Sequence, residues 1–113
     1  MTKVAWKQKM NCTPEEAKTF LGKHILVGLA HCNADGVKIS QEQFHGVIER
    51  ITSEEGIVIK VSGSNEERSI PADVYSMQLA RPGEYTLKST GEIVEDPDFT
   101  ARLSISPNDY EAA

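Results

Sequence analysis

Apolar and polar positions alternate with a period of two along most of this chain, and the exception lies near its start. Thr13-Pro14-Glu15-Glu16 reads as a helix start, with a hydroxyl cap, proline in the first turn and acids at the positive end of the helix dipole. Thr13 and Glu16 stand at capping-box spacing. Ala17, Phe20 and Leu21 supply one apolar face before Gly22 stops the element, so the predicted helix is short and spans 13–21.

Strand signals dominate from Gly22 onward. Lys23 to Cys32 is apolar and partly β-branched, and Asp35-Gly36 is a strong hairpin signal. Lys38 to Thr52 is long for one strand, and Gly46 near its middle permits a sharp bend. After the turn Glu54-Glu55-Gly56, Ile57, Ile59 and Val61 alternate with Val58, Lys60 and Ser62, which predicts a strand with one buried face. A turn at Ser62-Gly63-Ser64-Asn65 leads to a short strand, Glu67 to Ile70, and Pro71 to Tyr75 suits a single 3₁₀ turn. Gln78 to Ala80 adds a brief strand. Tyr85 to Ser89 and Glu92 to Val94 flank Thr90-Gly91 as a hairpin, and after Pro97-Asp98 the last strand runs from Phe99 to Ser106. Short strands punctuated in this way predict a mainly β fold, a small barrel or sandwich.

Length and composition bound this picture. At 113 residues the chain is one domain. It divides into a leader (1–12), the helix (13–21), a barrel (22–80), a C-terminal β extension (81–106) and a tail (107–113). With 39% hydrophobic and 26% charged residues it reads as a soluble globular protein. A net charge of −5 works against general affinity for nucleic acid or anionic membrane and favours a basic partner. Cys12 and Cys32 are the only cysteines and belong to no CxxC pair. They form neither a disulfide scaffold nor a zinc site, and a reducing cytoplasmic location is expected. The longest apolar run, Ile25 to Ala30, is far too short to cross a bilayer.

Few stretches offer chemistry. His31 to Glu42 (HCNADGVKISQE) places Asn33, Asp35, Gly36 and Glu42 at the third, fifth, sixth and twelfth positions of a calcium-binding EF-hand loop. That loop lies between helices and needs a carboxylate first, whereas this stretch begins with His31, carries Lys38 within the loop and has strand-like flanks, so a hairpin is expected. A two-residue turn at Ala34-Asp35 would set His24 opposite His45; a bulge at Gly36 would set Ile25 there instead. No third ligand accompanies the histidines, and no bound metal and no cofactor are expected. Asp96-Pro97-Asp98 fits turn chemistry. GxSxG and SxxK motifs and a glycine-rich phosphate loop are missing, so the chain reads as non-enzymatic, with no catalytic residue assigned.

The layout Leu21-Gly22-Lys23-His24-Ile25-Leu26-Val27, Asp35-Gly36, Gly46-Val47-Ile48 and Gly56-Ile57-Val58-Ile59 resembles the first motif of Sm-like proteins over residues 14–70. Strand, bent strand, strand, short strand and 3₁₀ turn is also the order of SH3-like barrels. The resemblance implies a small SH3-like/Sm-like barrel with a short N-terminal helix and a C-terminal β extension. It departs where Sm-like proteins bind RNA: the turn Ser53-Glu54-Glu55-Gly56 is acidic, and the later turn reads SGSNEERS without an Arg-Gly motif. Together with FHGVIE, SIPADV and the tail GEYTLKSTGEIVEDPDF, the chain looks like a family of small bacterial β-barrel proteins whose resemblance carries no chemistry with it.

Polar-tipped aromatics remain as candidate partner-binding residues, because such side chains are enriched at interface hot spots. These are Trp6, Tyr75 and Tyr85, with Tyr110 as a further aromatic of this type. Tyr75 lies beside the expected 3₁₀ turn, where SH3-like barrels present part of their ligand groove. Trp6, in a basic leader with Lys3, Lys7 and Lys9, either packs back on the barrel or stays mobile. The expected role is therefore binding of a macromolecule, a protein, one version being a basic partner masked in the manner of an immunity protein and its toxin. The alternative is an Sm-like nucleic-acid binder. No membrane partner is expected, and exposed barrel edges leave room for a homo-oligomer.

Overall fold

A computed structural model describes residues 4–88 and 90–112. Residues 1–3 of the expected leader, Ser89 of the expected Tyr85–Ser89 strand and Ala113 of the tail lie outside the described residues. In order the elements are β1 (Val4–Trp6), α1 (Pro14–Lys18), β2 (His24–Cys32), β3 (Lys38–Thr52), β4 (Gly56–Val61) and β5 (Glu67–Ile70). A 3₁₀ turn (Val74–Ser76) follows, then β6 (Met77–Leu79), β7 (Glu84–Thr86), β8 (Ile93–Glu95) and β9 (Phe99–Ile105). A second 3₁₀ turn (Pro107–Asp109) leads into β10 (Tyr110–Ala112).

Helix α1 begins as its sequence dictates. Thr13 Oγ1 accepts from the Glu16 backbone N–H at 3.1 Å, and Glu16 Oε1 accepts from the Thr13 N–H at 3.0 Å, so two otherwise orphaned donors are satisfied. The ordered helix ends at Lys18, and only turns carry the chain on to Gly22.

Six strands form the main sheet in the order β5-β4-β3-β2-β9-β6, and β1-β10 and β7-β8 form two small ladders. The main ladder is open: among the described residues no pairing joins β5 to β6. The expected C-terminal extension is also placed differently. β9 does not lie beyond β2–β6 but inserts between β2 and β6, parallel to β2 and antiparallel to β6. The expected leader and tail are likewise structural, because β1 pairs with β10, setting Trp6 against Tyr110.

Alternation then sorts side chains to two faces of the sheet. On one face Ile25, Val27 and Leu29 of β2 meet Phe44 and Ile48 of β3, Ile57 and Ile59 of β4, and Ala101 and Ile105 of β9 in the principal core. Ile48 and Ile51 both reach this core because the β3–β4 register shifts between Ile48 and Arg50. On the opposite face, Leu26 packs under the β7–β8 hairpin against Leu87 and Val94, with Tyr85 at the margin. Burying a leucine in this way contributes about 1.5–3 kcal/mol. Gly46 is required by close approach: a Cβ there would stand 2.0 Å from the Lys60 carbonyl oxygen. No helix among the described residues is long and apolar enough to cross a membrane.

Candidate functional site

The three aromatics expected to meet a partner lie in three different places. Trp6 is a core residue, only 6% exposed. Its Nε1–H donates to Ser69 Oγ at 3.1 Å, and its ring meets Tyr110 edge-on at 5.6 Å. An indole held in this way is withdrawn from a partner, so Trp6 is corrected from binding residue to core residue; pairing of β1 with β10 is what draws it in. Tyr85 is half-buried in the second cluster, with its hydroxyl donating to the Arg81 carbonyl at 2.7 Å. Tyr75 alone stands out, 78% exposed.

Tyr75 is also firmly presented. Asp73 caps its 3₁₀ turn by accepting from the Tyr75 N–H at 3.1 Å, and Asn11 grips the same turn from the N-terminal segment. The Asn11 side-chain amide donates to Asp73 Oδ1 at 2.8 Å, while its carbonyl oxygen accepts from the Val74 N–H at 3.0 Å. Directly after the turn comes β6, which among the described residues is an edge strand paired on one side only, to β9. Its last residue, Leu79, is 81% exposed, the most exposed large hydrophobic among the described residues. Sequence reasoning assigned Leu79 to a strand but not to a surface; only its place on an edge makes it one. Tyr75 and Leu79 thus stand beside the outer edge of the sheet, where the Ser76 and Met77 N–H groups already donate to the Asp73 and Val74 carbonyls within the turn.

The two histidines do meet, by neither expected register. The hairpin turn runs through Asn33-Ala34-Asp35-Gly36, with the Gly36 N–H donating to the Asn33 carbonyl at 2.9 Å and Gly36 at φ 83°. A register shift between His31 and Cys32 follows, so that His45 faces Leu26, and His24 faces Val47. His24 and His45 are therefore diagonal neighbours on one face, with His24 Nε2 2.9 Å from His45 Nδ1. His45 Nε2 lies 2.8 Å from Glu92 Oε2 on the hairpin. A carboxylate only accepts, so Nε2 carries the His45 proton; neutral His45 then accepts at Nδ1 from His24 Nε2–H. The chain His24–His45–Glu92 ties the β7–β8 hairpin to the sheet, with His45 only 8% exposed. Burial first, then the neighbouring His45, lowers the pKa of His24 below 6.5, opposed by Asp98.

The resemblance to an EF-hand loop dissolves into strand contacts. Asn33 Oδ1 accepts from the backbone N–H groups of Asp35 and Val37, both at 3.0 Å. Glu42 binds His31 Nε2 at 2.5 Å through one oxygen and Arg68 at 2.7 Å through the other. Hydrogen bonding from Arg68 is the largest influence holding the Glu42 carboxyl below its usual range. Among the described residues no three His, Cys, Asp or Glu side chains are grouped to hold a metal ion. Asp96 and Asp98 are likewise occupied with backbone: Asp96 accepts from the Gly83 N–H at 2.7 Å, and Asp98 from the His24 N–H at 2.9 Å.

The acidic turn between β3 and β4 is also internally engaged. Arg50 is held in a fork, its Nη2 2.7 Å from Glu55 Oε2 and its Nη1 3.0 Å from Glu67 Oε2. No protein-family model matches the chain, and no curated protein or solved structure matches it either.

Proposed function

We propose that this is a non-enzymatic protein-binding domain resembling SH3-like/Sm-like proteins that takes its partner at the β6 edge. The observation that carries this reading is the pair Tyr75 and Leu79, the two most exposed large hydrophobic side chains among the described residues, placed beside a strand that has a neighbour on one side only among those residues. Strand addition supplies main-chain hydrogen bonds to such an edge, and flanking apolar side chains supply selectivity. Presentation of Tyr75 on a turn gripped by Asn11 and Asp73 reduces the ordering cost of binding. A net charge of −5 favours a basic partner, as in masking of a toxin by an immunity protein. Strands β2–β6 and the 3₁₀ turn would follow the SH3-like order with β9 inserted between β2 and β6, and two free thiols suit a cytoplasmic setting.

The test is site-specific photocrosslinking in the producing cell, with the crosslinker at position 75 or 79 and, as a control, at position 37. The expected result is one basic protein crosslinked from 75 and 79, and its loss in the doubly substituted Y75S/L79S chain with folding retained. Equal crosslinking from position 37, or tight salt-dependent RNA binding at physiological ionic strength with no protein captured, overturns the proposal.

A further inference from the structure

The face of the sheet that carries the histidines continues beyond the hairpin as an open trough of about 360 Å³. Strand register fixes its rows. Arg102 of β9, Gly28 of β2 and Gln43 of β3 lie side by side, and Ser104, Ala30 and Gln41 form the next row. Two strand spacings separate Arg102 from Gln43, roughly 10 Å between their backbones. Gly28 leaves the floor between them bare: a Cβ there would find nothing nearer than Arg102 Cγ at 4.0 Å. Lys88, at the end of the hairpin, completes the lining from above.

The polar groups of this trough share one polarity. Gln43 Oε1 accepts from the Lys88 backbone N–H at 2.7 Å, which leaves the Gln43 amide N–H groups to donate. Gln41 Oε1 accepts from the Lys38 ammonium, leaving its amide in the same state. Among the described residues neither Arg102 nor the Lys88 ammonium forms an ion pair. Glu42 borders the trough, but its carboxylate points to the other face, where His31 and Arg68 hold both oxygens. Two cations, two amide donors and the Ser104 hydroxyl therefore belong to residues that line one trough with a bare floor, in a protein whose net charge is negative.

We propose that this trough binds a small organic anion through its phosphate or carboxylate group. Arg102 and Lys88 supply charge, and the amides of Gln41 and Gln43 supply directed donors, an arrangement that an oxyanion satisfies and a neutral or cationic ligand does not. The volume suits a small ligand rather than a polymer. The site is separate from the β6 edge and does not depend on the reading given to that edge.

Nuclear magnetic resonance titration of the ¹⁵N-labelled chain at constant ionic strength tests this, with pyrophosphate and citrate as probes. Saturable shifts are expected at the Gly28 and Ala30 amides and at the side-chain NH₂ groups of Gln41 and Gln43. Saturation by pyrophosphate alone assigns a phosphate ligand, and by citrate alone a carboxylate ligand. R102Q and K88Q, both at exposed positions, should each weaken binding about tenfold with an otherwise unchanged spectrum. G28V should block the floor and abolish binding while leaving every charge in place. No saturable shift with either probe below about 10 mM, or unaltered binding in R102Q or G28V, overturns the proposal.

Discussion

His24 and His45 lie diagonally across β2 and β3, with Nε2 and Nδ1 2.9 Å apart, because the turn closes on Asn33 and Val37, one residue beyond a two-residue turn, and the register shifts once more between His31 and Cys32. A single one-residue change would send the two imidazoles to opposite faces of the sheet. Two changes restore the parity, and the pair closes one residue position away from direct opposition on each strand.

This pair sets a pH dependence. The unfolded chain protonates His24 near 6.5, whereas the folded chain does so only at lower pH, since burial and His45 disfavour the charge. Stability is therefore complete above pH 6.5 and falls as pH drops from 6.5 toward the lowered folded value. Glu42 acts in a lower window: its folded pKa lies below 4.5, so its contribution is present above 4.5 and lost as pH falls through the folded value. Urea midpoints measured against pH should fall in two stages. H24Q should remove the upper stage and E42Q the lower; a single stage unaltered by either substitution would count against both assignments.

Gly46 and Gly28 should respond oppositely to alanine. A Cβ at Gly46 collides with the Lys60 carbonyl at 2.0 Å and with Ile59 Cγ2 at 2.9 Å, and backbone cannot yield as a side chain can. G46A should cost about 2–4 kcal/mol in urea unfolding. G28A meets only a 4.0 Å contact and should leave stability within about 0.5 kcal/mol of the native value.

Trp6, the sole tryptophan, is a built-in reporter. Because it is buried against Tyr110 and Ser69, its native emission should be blue-shifted and shielded from iodide, and should move to the red on unfolding. W6A should cost about 3–5 kcal/mol, followed by far-ultraviolet circular dichroism. Native emission already at the wavelength of free tryptophan would contradict its placement.

Asn11 should control the order of the 3₁₀ turn without touching a partner. N11A removes the donor to Asp73 and the acceptor for the Val74 N–H. Amide exchange at Val74 should accelerate by about tenfold, matching loss of about 1.4 kcal/mol of local protection, while β4 remains unaffected.

Local patterns carried the elements well. The limits of β3 and β5 agree with expectation to the residue, and the helix expected over 13–21 runs from Pro14 to Lys18 with Thr13 as its cap, because turn chemistry, capping and period-two alternation are all local signals. What stayed hidden depends on distant segments. A parallel pairing such as β2–β9 has no hairpin to announce it. Trp6 stands in a basic stretch that gives no sign of burial until β10 returns beside it. Leu79 looks like an ordinary strand residue until β6 proves to be an edge, and the row of Arg102, Gly28 and Gln43 exists only through register. Histidine pairing was visible as a question; the turn answered it.

The insertion of β9 also orders the making of the protein in time. Five of the six strands of the main sheet precede β9 in the chain, yet β9 separates two of them, β2 and β6. While synthesis proceeds from the N-terminus, one side of β2 must wait, and Ile25, Val27 and Leu29 wait with it, without the cover of Ala101 and Ile105. A nascent chain halted before Phe99 would display a long apolar edge that the finished molecule never shows. β9 is thus the last strand to join the main sheet, and it joins at an interior position.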